Sequence, residues 1–569
     1  MSAAPQTRIR IISVLILAVA LVIIVKLYIV QIVRHDDFVL SADRQYSKPN
    51  NAIFNRGSIF FETKDGKLIS AATLKSGFTL TINPKILVNA EEAYEKLSKI
   101  VEIDRDDFFA KAAKKDDPYE EIAKRVPEDK GKEIEALKIA GVRIYKEQWR
   151  FYPGGEEAAQ TLGFVAFKGD ELSGRYGLER FYEDVLSRSG SDMYANFFVE
   201  IFSNIKKTVS DDEDFEGDIV TTIEPVVQAH LAESVVKIQE RWSSESSGGI
   251  IMDPKTGEIL AMTQVPAFDP NNFSKEKNVA IFGNPLVEEV HEMGSIVKPL
   301  TVAAGLDQKV ISANTTYFDA GSVTLNTETI YNFDLKGRGQ IPMQIALNKS
   351  LNTGMVFIFQ KLGKEIFRKY MLDFGLGEKT GIDLPNEAQN IVTNLKSPRD
   401  IEYATASFGQ GIALTPISIA RALSTLGNGG MLVVPHIVKR INYRTGLFKN
   451  IDPEPVRRVI SEETSDEITR MLVEVVDTAL LDGKGKNPHY TVAAKSGTAQ
   501  IAKSEGGGYY EDRYLHSFFG YFPAYDPKFL VFLYTVHPKG VSYASNTLAE
   551  PFLEISKFLF NYYEIPPDR

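Results

Sequence analysis

Gly248-Gly-Ile-Ile-Met-Asp-Pro-Lys-Thr-Gly-Glu-Ile-Leu-Ala261 decides the architecture of this chain. Two apolar runs, Gly248–Asp253 and Glu258–Thr263, flank the turn sequence Pro254-Lys-Thr-Gly257, so the stretch reads as a β-hairpin. Three further strands are expected near the C-terminus, at Thr491–Ala502, Ser517–Pro523 and Phe529–Val536. Their nearly continuous apolar character predicts a sheet covered on both faces. Thr221–Arg241, with Glu224-Pro225 near its start, predicts a capped amphipathic helix, and a last helix is expected at about Ala549–Tyr562. Residues 290–480 read as a mostly helical insert. The expected fold class is α/β of the α+β kind. About five antiparallel strands carry the N- and C-terminal helices on one face and a helical lobe on the other.

The 569 residues suggest several domains, and 44% apolar with 25% charged residues is ordinary globular composition. A net charge of −10 argues against general nucleic-acid binding, which favours basic surfaces. The chain has no cysteine, which excludes disulfides, thiolate metal sites and cysteine nucleophiles. The seven histidines are scattered without a His-x-x-x-His pair, so neither a metal nor another cofactor is expected.

Residues 11–33 are apolar apart from Ser13, Lys26 and Gln31 and would span about 35 Å as a helix, enough for a bilayer core. The length of the run, and Ala18-Val-Ala20 at its middle rather than after it, favour an uncleaved anchor over a signal peptide. Arg8 and Arg10 place the tail 1–10 in the cytoplasm by the positive-inside rule, and the remainder outside the membrane. Lys26 is expected to snorkel. In the region 34–215, Asp104–Lys138 reads as a solvated helical face. Arg56-Gly57, Arg150-Phe-Tyr-Pro-Gly-Gly155 and Gly177-Leu-Glu179 read as structured turns serving inter-domain packing, and Ser210–Glu216 as a boundary.

Three short motifs in one order carry chemistry: Ser295-Ile-Val-Lys298, Ser350-Leu-Asn352 and Lys495-Ser-Gly-Thr498. Each pattern alone recurs by chance, at Ser203–Lys206, Ser274–Lys277, Ser312–Asn314, Lys75–Gly77, Lys255–Gly257 and Lys379–Gly381. Context selects among the copies. Ser295 and Lys298 stand at i and i+3 before an apolar helical run, with Gly294 for a sharp turn and Pro299 tolerable only in a first helical turn. There the helix dipole favours an alkoxide, and burial lowers a lysine pKa, so Lys298 can take the serine proton. Ser350 and Asn352 can bridge Lys298 and a substrate. On a strand, Lys495, Ser496 and Thr498 can bind a carboxylate, and Gly497 lets a substrate backbone approach. The amides of Ser295 and Thr498 could form an oxyanion hole.

The triplet resembles the active-site signature of penicillin-binding proteins and serine β-lactamases. Gly248–Ala261, Phe408-Gly-Gln-Gly411, Thr415-Pro416, Asn428-Gly-Gly430 and Ser517-Phe-Phe-Gly520 are similar to landmarks of a transpeptidase domain. Arg56-Gly57, Tyr152-Pro153 and Gly177-Leu-Glu179 resemble the N-terminal module of class B penicillin-binding proteins. The resemblance implies a tail (1–10), a transmembrane anchor (11–33), a mixed α/β pedestal or dimerisation-type module (34–215) and a penicillin-binding/β-lactamase-like transpeptidase domain (216–565). It implies a D,D-transpeptidase of the bacterial plasma membrane, single-pass, with its catalytic domain outside. Ser295 would attack D-Ala-D-Ala stem peptides, Lys298 would act as base, Ser350 and Asn352 would assist, and Lys495, Ser496, Gly497 and Thr498 would hold the substrate. β-Lactams would acylate the same serine, and a polytopic membrane glycosyltransferase would be a partner. The chain departs from the family at Met293, usually proline, at Leu351, usually smaller, and in the looser Arg56–Gly66 segment. Rival readings are a D,D-carboxypeptidase, a β-lactam sensor or β-lactamase, and a non-enzymatic scaffold. A class A β-lactamase needs a Glu-x-x-Leu-Asn loop, which Glu387-Ala-Gln-Asn-Ile391 does not supply. No glycosyltransferase motif is found in residues 35–215.

Overall fold

The structure is a computed structural model that describes residues 55–169, 171–188, 216–503 and 506–569. The expected anchor (11–33), the tail before it, Ser203–Lys206 and nearly all of Ser210–Glu216 lie outside the described residues. Among the described residues no helix is long and apolar enough to cross a membrane.

Two compact units divide the described chain. One holds residues 74–149; the other holds Arg56–Thr73 and Arg150–Arg569. In the first, helices Ala90–Leu97, Arg105–Ala112 and Glu128–Ala136 join strand Glu120–Val126 around a core that includes Leu80, Phe108 and Ile134. This corrects the expectation of one solvated helical face at Asp104–Lys138. A strand interrupts the helices, and Phe108 and Ile134 are buried among the charges that suggested full solvation.

The second unit is built on the predicted sheet. Helix α1 (Pro225–Trp242) precedes strands β1 (Ser246–Met252) and β2 (Ile259–Val265). Helices α2 (Lys298–Asp307), α3 (Asn352–Leu362) and α4 (Glu462–Thr478) lie in the insert. Strands β3 (Ala493–Ala502), β4 (Tyr509–Phe522) and β5 (Phe529–Val536) follow, and α5 (Ala544–Tyr562) ends the fold. The order is β3-β4-β5-β1-β2, every pair antiparallel, which leaves β3 at an edge. Side chains alternate between faces because a strand has a period of two. Ile251, Phe518, Phe522, Val531 and Leu533 pack with α1 and α5, while Ile250, Phe519, Tyr521, Phe532 and Tyr534 join the core of the helical lobe. Gly520 leaves room for Phe552 of α5, whose ring would lie 2.4 Å from an added Cβ.

Details differ from expectation. Thr221 ends a strand, Gly217–Thr221, and α1 starts only at Pro225, where the Glu224 side chain accepts from the Val227 amide. Proline at the first helical position has no amide to leave unsatisfied. β4 starts at Tyr509, well before Ser517, and α5 at Ala544, before Ala549. Polar residues at those ends hid their regularity. The mostly helical insert also holds short antiparallel strand pairs, among them Thr316–Asp319 with Gly339–Pro342, the hairpin Ser322–Leu325 with Glu328–Tyr331, and the hairpin Val438–Tyr443 with Phe448–Asn450.

The three expected turns at Arg56, Arg150 and Gly177-Leu-Glu179 are instead parts of one buried charge cluster within the second unit. Glu179 is 0% exposed and receives Arg56 Nε at 2.6 Å, Arg150 Nε at 2.5 Å and the Tyr152 hydroxyl at 3.1 Å. Arg56 also pairs with Glu183 at 2.7 Å, and Arg150 donates to the Gly57 carbonyl at 2.7 Å. Burial works to raise the Glu179 pKa, but the two guanidinium groups and their hydrogen bonds hold it below the usual carboxylate value. Charge complementarity between segments far apart in the chain is not a local pattern, so the sequence pointed only to packing.

Candidate active site

Ser295 sits on a single 3-10 turn, Gly294–Val297, that runs into α2. The expectation put both Ser295 and Lys298 on the helix; the tighter turn stacks them more directly, because 3-10 side chains at i and i+3 eclipse. Gly294 has φ +62, and an added Cβ would lie 2.5 Å from the Thr498 carbonyl oxygen. Glycine is thus required for both the turn and the close approach. Pro299 occupies the first turn of α2.

The Gly294–Val297 turn is held from two sides. Ser517 of β4 donates its hydroxyl to the Met293 carbonyl at 2.8 Å, and the Gly294 amide donates to the Gly409 carbonyl at 3.1 Å. Gly497 was expected to admit a substrate backbone. Its missing side chain in fact points at this turn: a Cβ would lie 2.5 Å from Ser517 Oγ, 2.8 Å from the Met293 oxygen and 2.9 Å from the Ile296 nitrogen. Residue-type patterns alone gave Ser517 and Gly409 no role. For Ser517, a small polar residue at the head of the apolar run Phe518–Phe522 was the available signal.

Lys298 is 0% exposed, while Ser295 is partly exposed. The Lys298 amine donates to the Ser350 carbonyl at 2.5 Å and to Ser350 Oγ at 3.2 Å. Ser350 has φ +53, a left-handed conformation rare for a residue with a Cβ, and this turn presents both oxygens to one amine. A neutral amine has two hydrogens and one lone pair; with both hydrogens engaged, its lone pair remains to accept a hydroxyl proton. The Asn352 side-chain amide donates to the Tyr331 carbonyl at 2.9 Å.

Lys495 lies on edge strand β3, 4% exposed, with its amine on the Ser496 carbonyl at 2.9 Å. The Thr498 hydroxyl accepts from the Ala544 amide at 3.1 Å, and Ser496 and Thr498 are partly exposed. Among the described residues, no carboxylate forms an ion pair with Lys298 or Lys495. Burial depresses the Lys495 pKa to about 8. Burial, with the Lys495 charge second, holds Lys298 well below the ordinary lysine value. Two like charges in one dry place are unfavourable together, so the pair favours a neutral Lys298.

The other motif copies fall elsewhere. Ser312 lies in a turn whose carbonyl accepts from the Thr315 amide. Lys255 is in the β1–β2 turn and pairs with Asp526. Ser274 lies in a short 3-10 turn, Pro270–Lys275, and Lys75–Gly77 in a strand of the first unit. In the loop of Lys379–Gly381, Glu387 accepts from the Thr380 amide at 2.5 Å and the Gly381 amide at 3.1 Å. The arrangement can form and break a serine ester: a partly exposed hydroxyl, a buried amine beside it and a cationic strand edge opposite.

Residues 248–557 match the penicillin binding protein transpeptidase domain, and residues 54–222 match the penicillin-binding protein dimerisation domain. The chain is 31% identical to Stage V sporulation protein D of Bacillus subtilis over 87% of this chain and 77% of that protein. It is 26% identical to a probable peptidoglycan D,D-transpeptidase, PenA, of Neisseria meningitidis over 90% of this chain and 85% of that one. Penicillin binding protein 2X of Streptococcus thermophilus shares the fold with a TM-score of 0.72 at 21% identity, over 90% and 81% of the two chains. Penicillin binding protein 3 of Mycobacterium tuberculosis, solved with ampicillin, has a TM-score of 0.64 at 25% identity, over 74% and 91%.

Proposed function

The chain belongs to the class B penicillin-binding proteins, and from that premise we propose that Ser295 is the nucleophile of a peptidoglycan D,D-transpeptidase serving cell-wall synthesis. The carrying observation is a buried lysine without a counter-ion among the described residues, one 3-10 turn from a partly exposed serine. In the first half-reaction Ser295 Oγ attacks the carbonyl carbon of the D-Ala-D-Ala bond and its proton passes to Lys298. The C–N bond then breaks, the leaving nitrogen takes a proton, and D-alanine departs. In the second, an amine of a neighbouring stem peptide attacks the ester and Ser295 recovers its proton. Ser350 orients the Lys298 amine, Asn352 faces the donor, and Lys495, Ser496 and Thr498 take its carboxylate, with Gly497 fixing their strand against the nucleophile turn. The Ser295 and Thr498 amides stabilise the oxyanion. β-Lactams open on the same serine and leave a persistent ester, because the chain has no Glu-x-x-Leu-Asn loop to supply a hydrolytic base, and Glu387 accepts from two backbone amides.

In this reading residues 1–10 are a cytoplasmic tail, 11–33 a transmembrane anchor, 34–215 a pedestal and 216–565 the transpeptidase domain, outside the plasma membrane. A polytopic glycosyltransferase is the proposed partner through the anchor and pedestal, with septal work favoured over elongation by the resemblance of the C-terminal half to septal enzymes. Labelling by a fluorescent penicillin tests the site: wild type is labelled and Ser295→Ala is not, and undiminished labelling of that variant rejects the assignment. Donor and acceptor stem peptides supplied together yield a cross-linked dimer from a transpeptidase. Release of D-alanine without dimer would instead mark a carboxypeptidase.

A further inference from the structure

Three consecutive residues, Tyr331-Asn332-Phe333, connect the second motif to the third. The Tyr331 carbonyl accepts the Asn352 amide at 2.9 Å. The Asn332 side-chain oxygen accepts from the Thr353 amide at 3.2 Å and lies 3.2 Å from the Thr353 hydroxyl. The Phe333 ring meets the Tyr543 ring edge-on, centroids 5.8 Å apart. Tyr543 precedes Ala544, whose amide donates to the Thr498 hydroxyl. A continuous path of contacts therefore runs from Asn352 to Thr498 through one short segment of the insert.

That segment is anchored from below. Asp319 is 0% exposed, and its Oδ1 receives the Asn332 amide at 2.8 Å, the Thr353 hydroxyl at 2.9 Å and the Gly321 amide at 3.0 Å. Asp319 Oδ2 has no hydrogen bond, and Arg338 approaches it only to 3.6 Å. A buried carboxylate is costly unless its surroundings are fixed, so this one locks Asn332 and the start of α3 in register. The upper end is different. Phe333 is 57% and Tyr543 50% exposed. Two large rings held together in water, away from any core, call for a reason other than core packing.

We propose that Tyr331-Asn332-Phe333 is a positioning strap that fixes the separation of Asn352 and Thr498, with the Phe333–Tyr543 contact as its clasp. The proposal rests on the reading of Ser295, Asn352 and Thr498 as one site. Asp319 and Asn332 are positioning residues: they act on the donor through Asn352. Because the clasp is exposed, it can be removed without emptying a core.

The test is the acylation kinetics of the full chain with a small fluorescent penicillin, resolving initial binding from the acylation step. Phe333→Ala is expected to slow acylation about two- to tenfold, the range of an aromatic pair, with an unchanged thermal midpoint and labelling still complete at Ser295. Tyr543→Ala should do the same, and the double variant should be no slower than either single. Phe333→Tyr should restore the rate. Unchanged rates, multiplicative losses in the double variant, or faster acylation on removal of a ring (a mere obstruction) would each overturn the strap. Asp319→Asn should slow the same step; a lower midpoint with an unchanged acylation step in the folded protein would mean that Asp319 only stabilises. Loss of labelling in Ser295→Ala remains a separate result, so failure of the strap and failure of the site are distinguishable.

Discussion

Two groups of buried cations sit in the same compact unit and are treated in opposite ways. Arg56 and Arg150 share the Glu179 carboxylate, with Glu183 and backbone carbonyls completing their partners. Arg56 is driven above its ordinary pKa: burial opposes this, but Glu179 and Glu183 prevail. Lys298 and Lys495 are as deeply buried, have only backbone and hydroxyl oxygens as hydrogen-bond partners among the described residues, and are both driven below the ordinary lysine value. The first arrangement keeps charge in place and joins distant segments. The second removes charge and leaves a lone pair beside a serine. Burial with a counter-ion holds structure, and burial without one prepares a base.

Substitutions that exchange these outcomes break the comparison most directly. Lys298→Met keeps side-chain bulk and removes the base; β-lactam acylation should fall by about 10²–10⁴-fold while the denaturation midpoint stays near wild type. Rapid labelling of this variant would deny Lys298 its role. Glu179→Gln should do the reverse. Arg150 loses its buried counter-charge and Arg56 keeps only Glu183, at about 3–5 kcal/mol of stability measured by denaturant unfolding, while the folded fraction still labels. The sign of the pH effect agrees: the Glu179 pKa is depressed in the fold, so its contribution is present above the unfolded carboxylate pKa and is lost as pH falls through the folded value.

Smaller effects sharpen the contrast. Gly497→Ala places a Cβ against Ser517, Met293 and Ile296. It should cost about 1–3 kcal/mol, seen as a lower thermal midpoint, and slow acylation by moving the nucleophile turn. Lys495→Gln removes the charge that, after burial, lowers the Lys298 pKa. The Lys298 pKa should then rise, and the acidic limb of the pH profile of acylation should move to higher pH. A shift to lower pH, or none, would mean that the two lysines do not sense each other.

The sheet was legible because its signal is local. Phe529–Val536 alternates between two cores residue by residue, and its limits were read without error. The β1–β2 turn, the order of the three motifs and Pro299 at a helix start are equally local. The Arg56–Glu179–Arg150 cluster was not legible, since it joins segments whose proximity no spacing encodes. Gly497 was assigned to substrate approach because the direction of its missing side chain depends on what packs against β3. The Tyr331 carbonyl that holds the Asn352 amide comes from a hairpin with no sequence landmark.

The sequence by itself determined the reaction class and the frame: period-two apolar strands, the hairpin at Gly248–Ala261, and a serine, an amine and a strand-borne cation in one order. These follow from backbone geometry and residue chemistry within a few positions. Only the tertiary structure decided which cations keep their charge. Desolvation and Coulomb interaction act through space, and the groups that act on the Lys298 amine come from the turn at Ser350 and from Lys495 on edge strand β3. A lysine reads the same in sequence whether it pairs with a carboxylate, as Lys255 does with Asp526, or lies buried near another cation, as Lys298 does near Lys495.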